Sequence, residues 1–562
     1  MSRLDWLVLG GALAFVVLFG LWKGRGSRTS AGYLLSNRDA RWWTICLSIM
    51  ATQASAITFL STPGQAYADG MRFVQFYLGL PLAMVVLSIT VVPIYHRLKV
   101  YTAYEYLEGR FDLKTRTLAA FLFLIQRGLA VGLTIYAPAL VLSVLLGWNI
   151  HLNLVLIGAL VMIYTVTGGT KAVSWAQSTQ MVIITCGMAL AGAMVVRHLP
   201  HGISFGDAMH VAGGLGRLNA IDFRFDLENR YNLWSGLIGG FFLALSYFGT
   251  DQSQVQRYLT GSSVGQSRMA LLANGLLKVP MQFLILLIGA LVFVHYQFTA
   301  PPLFFNPGPV KQVLASADAD AYRGLEAAYG KASEIRALSA QRFVEARRSQ
   351  DPARIGSAKA ELQASERQAG QLRGQAVALI RTHNPGANPS DTNYVFLSYV
   401  LASLPAGVVG LVLAAVFSAS MSSMSAEINA LGATTVVDIG RRLLGSAEGP
   451  REVWIGRAAT AVWGCFAIGF AEYASRLGTL VEAVNILGSL FYGTILGIFL
   501  VAFYVKRVTG GAAFWAALLA EAAVLACFVF TRISFLWYNV IGCVLVVGIS
   551  LFISFLPDRR TA

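Results

Sequence analysis

The chain has 562 residues, 56% of them hydrophobic and only 13% charged. A water-soluble protein of this length needs far more polar surface, so composition excludes that class and points to a helical protein of the lipid bilayer. The net charge of +15 does not indicate nucleic acid. The basic residues form no continuous face or tail, and many fall in short segments between apolar runs, where the positive-inside rule places them.

Apolar runs of about 20 residues recur along the chain, enough to cross a membrane as helices. Broken at charges, they give about 13 spans: 4–23, 42–68, 71–96, 117–147, 152–170, 174–197, 232–256, 268–296, 403–437, 454–474, 479–505, 511–531 and 534–556. The first, around Asp5–Leu21, lacks a small-residue cleavage site followed by a polar mature domain. It reads as a retained span rather than a signal peptide.

Charge in the short loops predicts orientation. Lys23, Arg25, Arg28, Arg38 and Arg41 lie between spans one and two. Arg97, Lys99, Arg110, Lys114 and Arg116 lie between three and four, and Arg441, Arg442, Arg451 and Arg457 between nine and ten. Arg559 and Arg560 end the chain. All fall on one side, which predicts an external N-terminus and a cytoplasmic C-terminus in a bacterial-type inner membrane. Cys46, Cys186, Cys465, Cys527 and Cys543 all lie in predicted spans and read as buried, inert thiols rather than a disulfide framework.

One segment is polar. Residues 316–384 are rich in Ala, Glu, Gln and Arg, break at Asp351-Pro352 and stop at Asn384-Pro385, which predicts a two-helix hairpin on the outer face. Its plainest reading is a solvated insertion with no part in transport; the others are a lid and a docking platform.

Two spans carry signs of interruption. Span two holds Ala51-Thr52-Gln53-Ala54-Ser55-Ala56 and then Pro63-Gly64; span seven holds Gly236, Gly239, Gly240 and Gly249. Broken helices at corresponding places in two halves mark a transporter's binding site. Spans two and seven are five apart, which predicts repeats of spans two to six and seven to eleven. The competing reading is close helix packing through small residues such as Gly236-x-x-x-Gly240.

Span nine carries Ala419-Ser420-Met421-Ser422-Ser423 within an apolar run. Hydroxyl and carbonyl oxygens are the ligands an alkali cation needs inside lipid. Opposite a broken helix with bare carbonyls, Ser422 and Ser423 make half of a Na⁺ site. The alternative is that each serine bonds back to its own helix. Arg127 is the other unusual residue. With span four starting near Thr117, it lies roughly 15 Å into the bilayer at 1.5 Å per residue. A charge at that depth is costly. It serves either a structural carboxylate or carbonyls, or an anionic substrate that its guanidinium can grip bidentately.

Enzyme signatures are missing. There is no H-E-x-x-H, the Gly324 to Gly330-Lys331 spacing is wrong for a phosphate loop, and the seven histidines form no ligand cluster.

Several strings in order resemble the sodium:solute symporter family: GYLLSNRDARWW entering span two, SAITFLSTPGQAYADG within it, TAYEYLEGRF before span four and IYAPAL inside it. They continue with YTVTGGTKAVSW closing span five, DQSQVQRYL closing span seven and SASMSSMSAEINALGATTVVDI in span nine. The resemblance runs from about residue 30 to 510 outside 300–393 and is nearest in pattern to the iodide, multivitamin and monocarboxylate carriers. It implies an all-α fold of the leucine-transporter type, two inverted five-helix repeats. On that plan 1–30 is an extra span, 42–197 the first repeat, 232–505 the second repeat with 298–393 inserted, and 506–562 the last two spans.

The resemblance also implies site residues. A Na⁺ ion would be held by the carbonyls of Ala51, Ala54 and Ala419 and the hydroxyls of Ser422 and Ser423. A second Na⁺ would draw on Thr52, Gln177 and Gln180. Here the chain departs from the family, with Trp175-Ala176-Gln177 where Trp-Thr-Asp is usual, and Gln177 offers an oxygen but no charge. Asp251 is a further acidic candidate, with capping or pairing as its alternative. The substrate would sit among Thr58, Gln75, Tyr77, Arg127 and Tyr247. Tyr247 matches a gating tyrosine of sugar-carrying relatives, but the glutamine and glutamate those relatives use for sugar are Thr58 and Tyr77 here. A substrate arginine of the sialic-acid branch falls at Ala130, one turn from Arg127. Phe73, Phe76, Phe248 and Phe491 are candidate apolar walls.

The expectation is a Na⁺-coupled symporter, not an enzyme, importing a small anionic organic solute such as a monocarboxylate, sialate or vitamin. Its partners are Na⁺, that solute and the bilayer; nothing in the sequence bears on oligomeric state. The alternatives are a symporter of sugar or another neutral solute, and a non-transporting sensor. Sensor relatives carry an added signalling domain, which the chain ending at Pro557-Asp558-Arg559-Arg560 does not show.

Overall fold

The computed structural model describes residues 1–24, 35–384, 390–443, 445, 450–473 and 480–555. Gly32–Leu34 of the first family string, Arg25, Arg28, Pro385 and the terminal Pro557–Arg560 lie outside them.

Among the described residues eleven helices are long and apolar enough to cross a membrane, or twelve when the pair Trp42–Gln53 and Ala56–Asp69, bent by 59°, is taken as one span. The sequence expects about thirteen. The difference is span seven, whose apolar helix Ser235–Gly249 is too short to cross. It is short because the chain leaves helical geometry at Thr250 and Asp251 before restarting as Gln252–Leu259. Spans five and six run on as one element, Ile150–Arg197, split at Gly169 with φ +58°. Only glycine adopts that conformation without strain. Span nine starts at Val408 rather than 403, because Pro405 and Gly407 (φ +86°) separate it from helix Thr392–Ser403.

Span nine is the axis of the molecule. Every residue from Val412 to Thr434 is buried, and it packs on the 150–197 element and on spans one, two, four and ten. Polar residues cluster there because the surrounding helices exclude lipid as well as water. Peripheral helices turn apolar side chains outward instead, among them Leu7, Leu18, Ile89, Trp515 and Phe552. Cys186 and Cys465 are on that outward surface and Cys527 is half-buried, so only Cys46 and Cys543 are the buried thiols the sequence expects. Each of the three lies on a peripheral helix with one face outside the bundle, and hydropathy does not say which face a cysteine takes.

The glycines of span seven serve packing rather than a break. A Cβ on Gly236 would lie 2.1 Å from the Gln75 carbonyl oxygen, and one on Gly240 would lie 2.5 Å from that of Phe76. They let segment Met71–Tyr77 lie directly on span seven. The interruption itself falls just past Gly249.

The polar insertion is a hairpin of Ala319–Ser349 and Pro352–His383. It rests on the end of span eight, where Arg336 donates to the Tyr296 carbonyl at 2.8 Å, and on helix Phe205–Gly214, where Arg348 reaches Asp207 at 2.6 Å.

Candidate functional site

Span two stops at Gln53 and restarts at Ala56. Ala54 closes the first helix with its N–H on Met50 O at 2.9 Å, and Ser55 begins the second by accepting from Thr58 N–H at 2.9 Å. Among the described residues no donor reaches the carbonyls of Ala51 or Ala54, both fully buried. A buried unpaired carbonyl costs free energy until something occupies it.

Span nine packs against both halves of span two. It brings Ala419, Ser422 and Ser423, all buried. The Ser422 hydroxyl has no hydrogen-bond partner. The Ser423 hydroxyl lies 2.9 Å from the Ala419 carbonyl, the back-bonded geometry the sequence leaves open. The groups expected to hold Na⁺ therefore lie on two helices packed together, with the span-two carbonyls and one hydroxyl unspent. This oxygen-only set of neutral groups suits a hard monovalent cation.

The second-site residues are arranged differently. Gln177 Nε2 donates to Thr52 Oγ1 at 2.9 Å and to the Ser422 carbonyl at 3.1 Å, while Oε1 accepts from Ser48. A carbonyl accepts only, so it fixes which way the amide faces. Gln177 therefore turns N–H toward Thr52 and Ser422, where a cation would need oxygen. Gln180 is buried beside Tyr164.

A cavity of about 130 Å³ lies beside the break. Thr52, Gln53 and Ser55 line it from span two, Phe76, Tyr77, Tyr247 and Phe248 from spans three and seven, and Arg127, Glu427, Asn485 and Tyr492 from the remaining sides. Of the expected substrate residues, Tyr77, Arg127 and Tyr247 meet there. Thr58 does not, because it lies within the first turn past the break. Gln75 does not either: its amide accepts from Asp222 N–H at 2.9 Å and donates to Tyr231 O at 3.0 Å, stapling the 222–231 loop. Phe491 is likewise absent from the lining. Phe73 stacks on Phe76 at 5.4 Å and meets Tyr231 edge-on at 5.2 Å. These rings part the cavity from a second one on the hairpin side, lined by Asp69, Arg72, Arg217, Arg230 and Glu482.

Arg127 is fully engaged on one side. Its Nη2 donates to Asp251 and Tyr492, and its Nη1 to Glu427 Oε1 at 2.9 Å. The Tyr492 hydroxyl also donates to Asp251 at 2.8 Å. Asp251 caps helix Gln252–Leu259 through the Ser253 N–H at 2.8 Å, so both its capping and its pairing are realised. The guanidinium lies 5.5 Å from the Tyr247 ring centroid, and Gln254 holds the Tyr247 hydroxyl at 2.7 Å.

Two charged residues near the cavity escape the sequence reading. Glu427 sits inside the span-nine string without being singled out. Lys278, on span eight, is buried with no hydrogen-bond partner, its ammonium 5.7 Å from the Tyr77 ring centroid. The cost of an intramembrane charge, which singles out Arg127, applies equally to both.

A family model for the sodium:solute symporter family matches residues 33–321 and 370–520, so only the middle of the hairpin and the chain ends lie outside it. Sodium-coupled monocarboxylate transporter 1 of Xenopus laevis is 27% identical over 508 residues, covering 88% of this chain and 67% of that protein. The sodium/sialic acid symporter NanT of Aliivibrio fischeri is 24% identical over 559 residues, covering 97% of this chain and 92% of that protein. A solved structure of a substrate-bound, outward-open Na⁺-coupled sialic acid symporter superposes with a TM-score of 0.76. It shares 24% identity and is covered to 98% by 99% of this chain.

Proposed function

The chain belongs to the sodium:solute symporter family, and on that premise we propose that it imports a small carboxylate anion together with one Na⁺ bound between the two halves of span two and span nine. It is a multi-pass membrane transporter with sodium as the co-transported ion, not an enzyme. The observation that carries the Na⁺ site is the pair of carbonyls of the buried residues Ala51 and Ala54, which no donor reaches among the described residues, on a helix packed against span nine, whose Ser422 hydroxyl is unpartnered. An ion at that point ties the halves of span two to span nine and favours one arrangement of the two repeats, 42–197 and 232–505, over the other. One ion rather than two follows from Gln177, which turns N–H toward Thr52.

The carboxylate reading is supported by three features. Arg127 lines the cavity, the cavity is small, and relatives include monocarboxylate carriers. The N-terminus lies outside and the C-terminus in the cytoplasm of a plasma membrane, with the hairpin outside, as the loop arginines imply.

The test is uptake of radiolabelled pyruvate into proteoliposomes with an imposed Na⁺ gradient. Accumulation above the external concentration, abolished by a sodium ionophore, is the expected result. Binding without accumulation would identify a sensor instead.

A further inference from the structure

The two carboxylates on Arg127 are held unequally. Asp251 is anchored. Beyond the arginine it accepts from the Ser253 N–H at 2.8 Å, the Ser253 hydroxyl at 2.6 Å and the Tyr492 hydroxyl at 2.8 Å. Glu427 is held by Arg127 Nη1, with the Thr134 side chain as its one other partner. Its second oxygen, Oε2, is buried and accepts no hydrogen bond, and Arg127 Nε lacks a partner as well. Glu427 lines the cavity, as Arg127 does, whereas Asp251 stands behind the arginine. The cavity-facing side of the guanidinium thus carries the less firmly held of its two carboxylates.

We propose that Glu427 is a specificity-determining residue. In the empty carrier its carboxylate occupies Arg127 Nη1, and the carboxylate of the substrate takes its place. The inference rests on the reading of the cavity as a carboxylate site. A guanidinium presents its donors as a fork matched to a carboxylate, and Glu427 satisfies one tine of the cavity-facing side. A neutral solute gains little by displacing a charged partner from a charged donor; a carboxylate replaces it like for like. Glu427 therefore selects for anions while lowering their affinity below what a free Arg127 would give, and it returns to Nη1 as the substrate leaves.

The experiment compares the full chain with E427Q and E427M in proteoliposomes under a Na⁺ gradient. The probes are pyruvate and its neutral amide, pyruvamide. Losing a competitor that forms a charge-assisted hydrogen bond should lower KM for pyruvate about tenfold in E427Q. The effect should be at least as large in E427M, whose side chain accepts nothing from Arg127. Pyruvamide transport should not improve, and maximal pyruvate velocity should not rise, because release is no longer assisted. An unchanged or raised KM for pyruvate in both variants, with active wild type, overturns the inference alone. If both variants fail to fold, Glu427 is a structural partner of Arg127 and the inference is again overturned. Absence of Na⁺-driven pyruvate uptake by the wild-type chain overturns the carboxylate reading, and this inference with it.

Discussion

The breaks in spans two and seven stand at corresponding places in the chain and are finished in opposite ways. At the second, side chains meet the freed backbone. Tyr95 donates to the Gly249 carbonyl at 2.9 Å, Tyr104 to the Thr250 carbonyl at 2.9 Å, and the Gln254 and Val255 N–H groups to the Asp251 carbonyl. Charge then locks the joint through Asp251 and Arg127. At the first, among the described residues no donor reaches the carbonyls of Ala51 and Ala54, and span nine, which carries Ser422 and Ser423, packs against both halves of the broken helix. One break is completed by the protein itself; the other is, on the proposed function, completed by the ion. On that proposal the difference separates the part that responds to Na⁺ from the part that holds the cavity's shape.

Substitutions at the two breaks should therefore fail differently. Replacing both Ser422 and Ser423 with alanine removes two oxygens from the open break. The Na⁺ concentration for half-maximal uptake should rise on the order of 100-fold, at about tenfold per lost ligand. R127Q strands two buried carboxylates at the closed break. It should cost about 3–5 kcal/mol of stability whether or not Na⁺ is present, seen as a lower melting temperature in detergent. An R127Q protein of normal stability would mean that the joint is not locked by charge. Y104F uncovers only the Thr250 carbonyl and should cost about 1 kcal/mol, measured in the same melt, with little change in Na⁺ dependence.

The smallest effect belongs to the hairpin, away from both breaks. Arg348, with the Ser204 N–H and hydroxyl, holds the Asp207 carboxyl at about 2, below the usual carboxylate value. A lowered folded-state pKa means the contact stabilises fully above pH 4 and is lost as pH falls toward 2. Arg348 is half exposed, so solvent screening keeps the effect small. D207N should remove the acid sensitivity of hairpin docking, read by protease susceptibility at Gln350 between pH 5 and 2, and leave Na⁺-driven uptake at neutral pH unchanged.

The serine pair was legible as two oxygens in an apolar run, and the small polar stretch from Ala51 to Ala56 contains the first break, at Ala54–Ser55, whereas Pro63-Gly64 lies inside the continuous helix Ala56–Asp69. Ala51 and Ala54 as ligands came only through the family resemblance, since nothing in a side chain announces a bare carbonyl. Of the span-seven glycines, Gly249 stands next to the break at Thr250–Asp251, while Gly236 and Gly240 serve close approach to segment 71–77 and Gly239 to Leu536; glycine serves close approach and chain interruption alike, and only the three-dimensional neighbours decide between them. Gln75 and Thr58 fall outside the cavity lining, which depends on the direction the chain takes after a 59° bend. Glu427 and Lys278 could have been found, as Arg127 was, by asking what any charge within a span is paired with. What the sequence could not show is that Arg127 is already paired.

The most direct measurement is the shift in melting temperature caused by Na⁺, against K⁺ at equal ionic strength, without substrate, in the wild type and in S422A/S423A. A ligand bound only by the folded state raises stability by mass action. The wild type should be stabilised by Na⁺ and not by K⁺. The double variant should melt close to the Na⁺-free wild type and show no Na⁺ shift. An equal Na⁺ shift in the double variant would contradict the account, because the ion would then bind somewhere other than the open break.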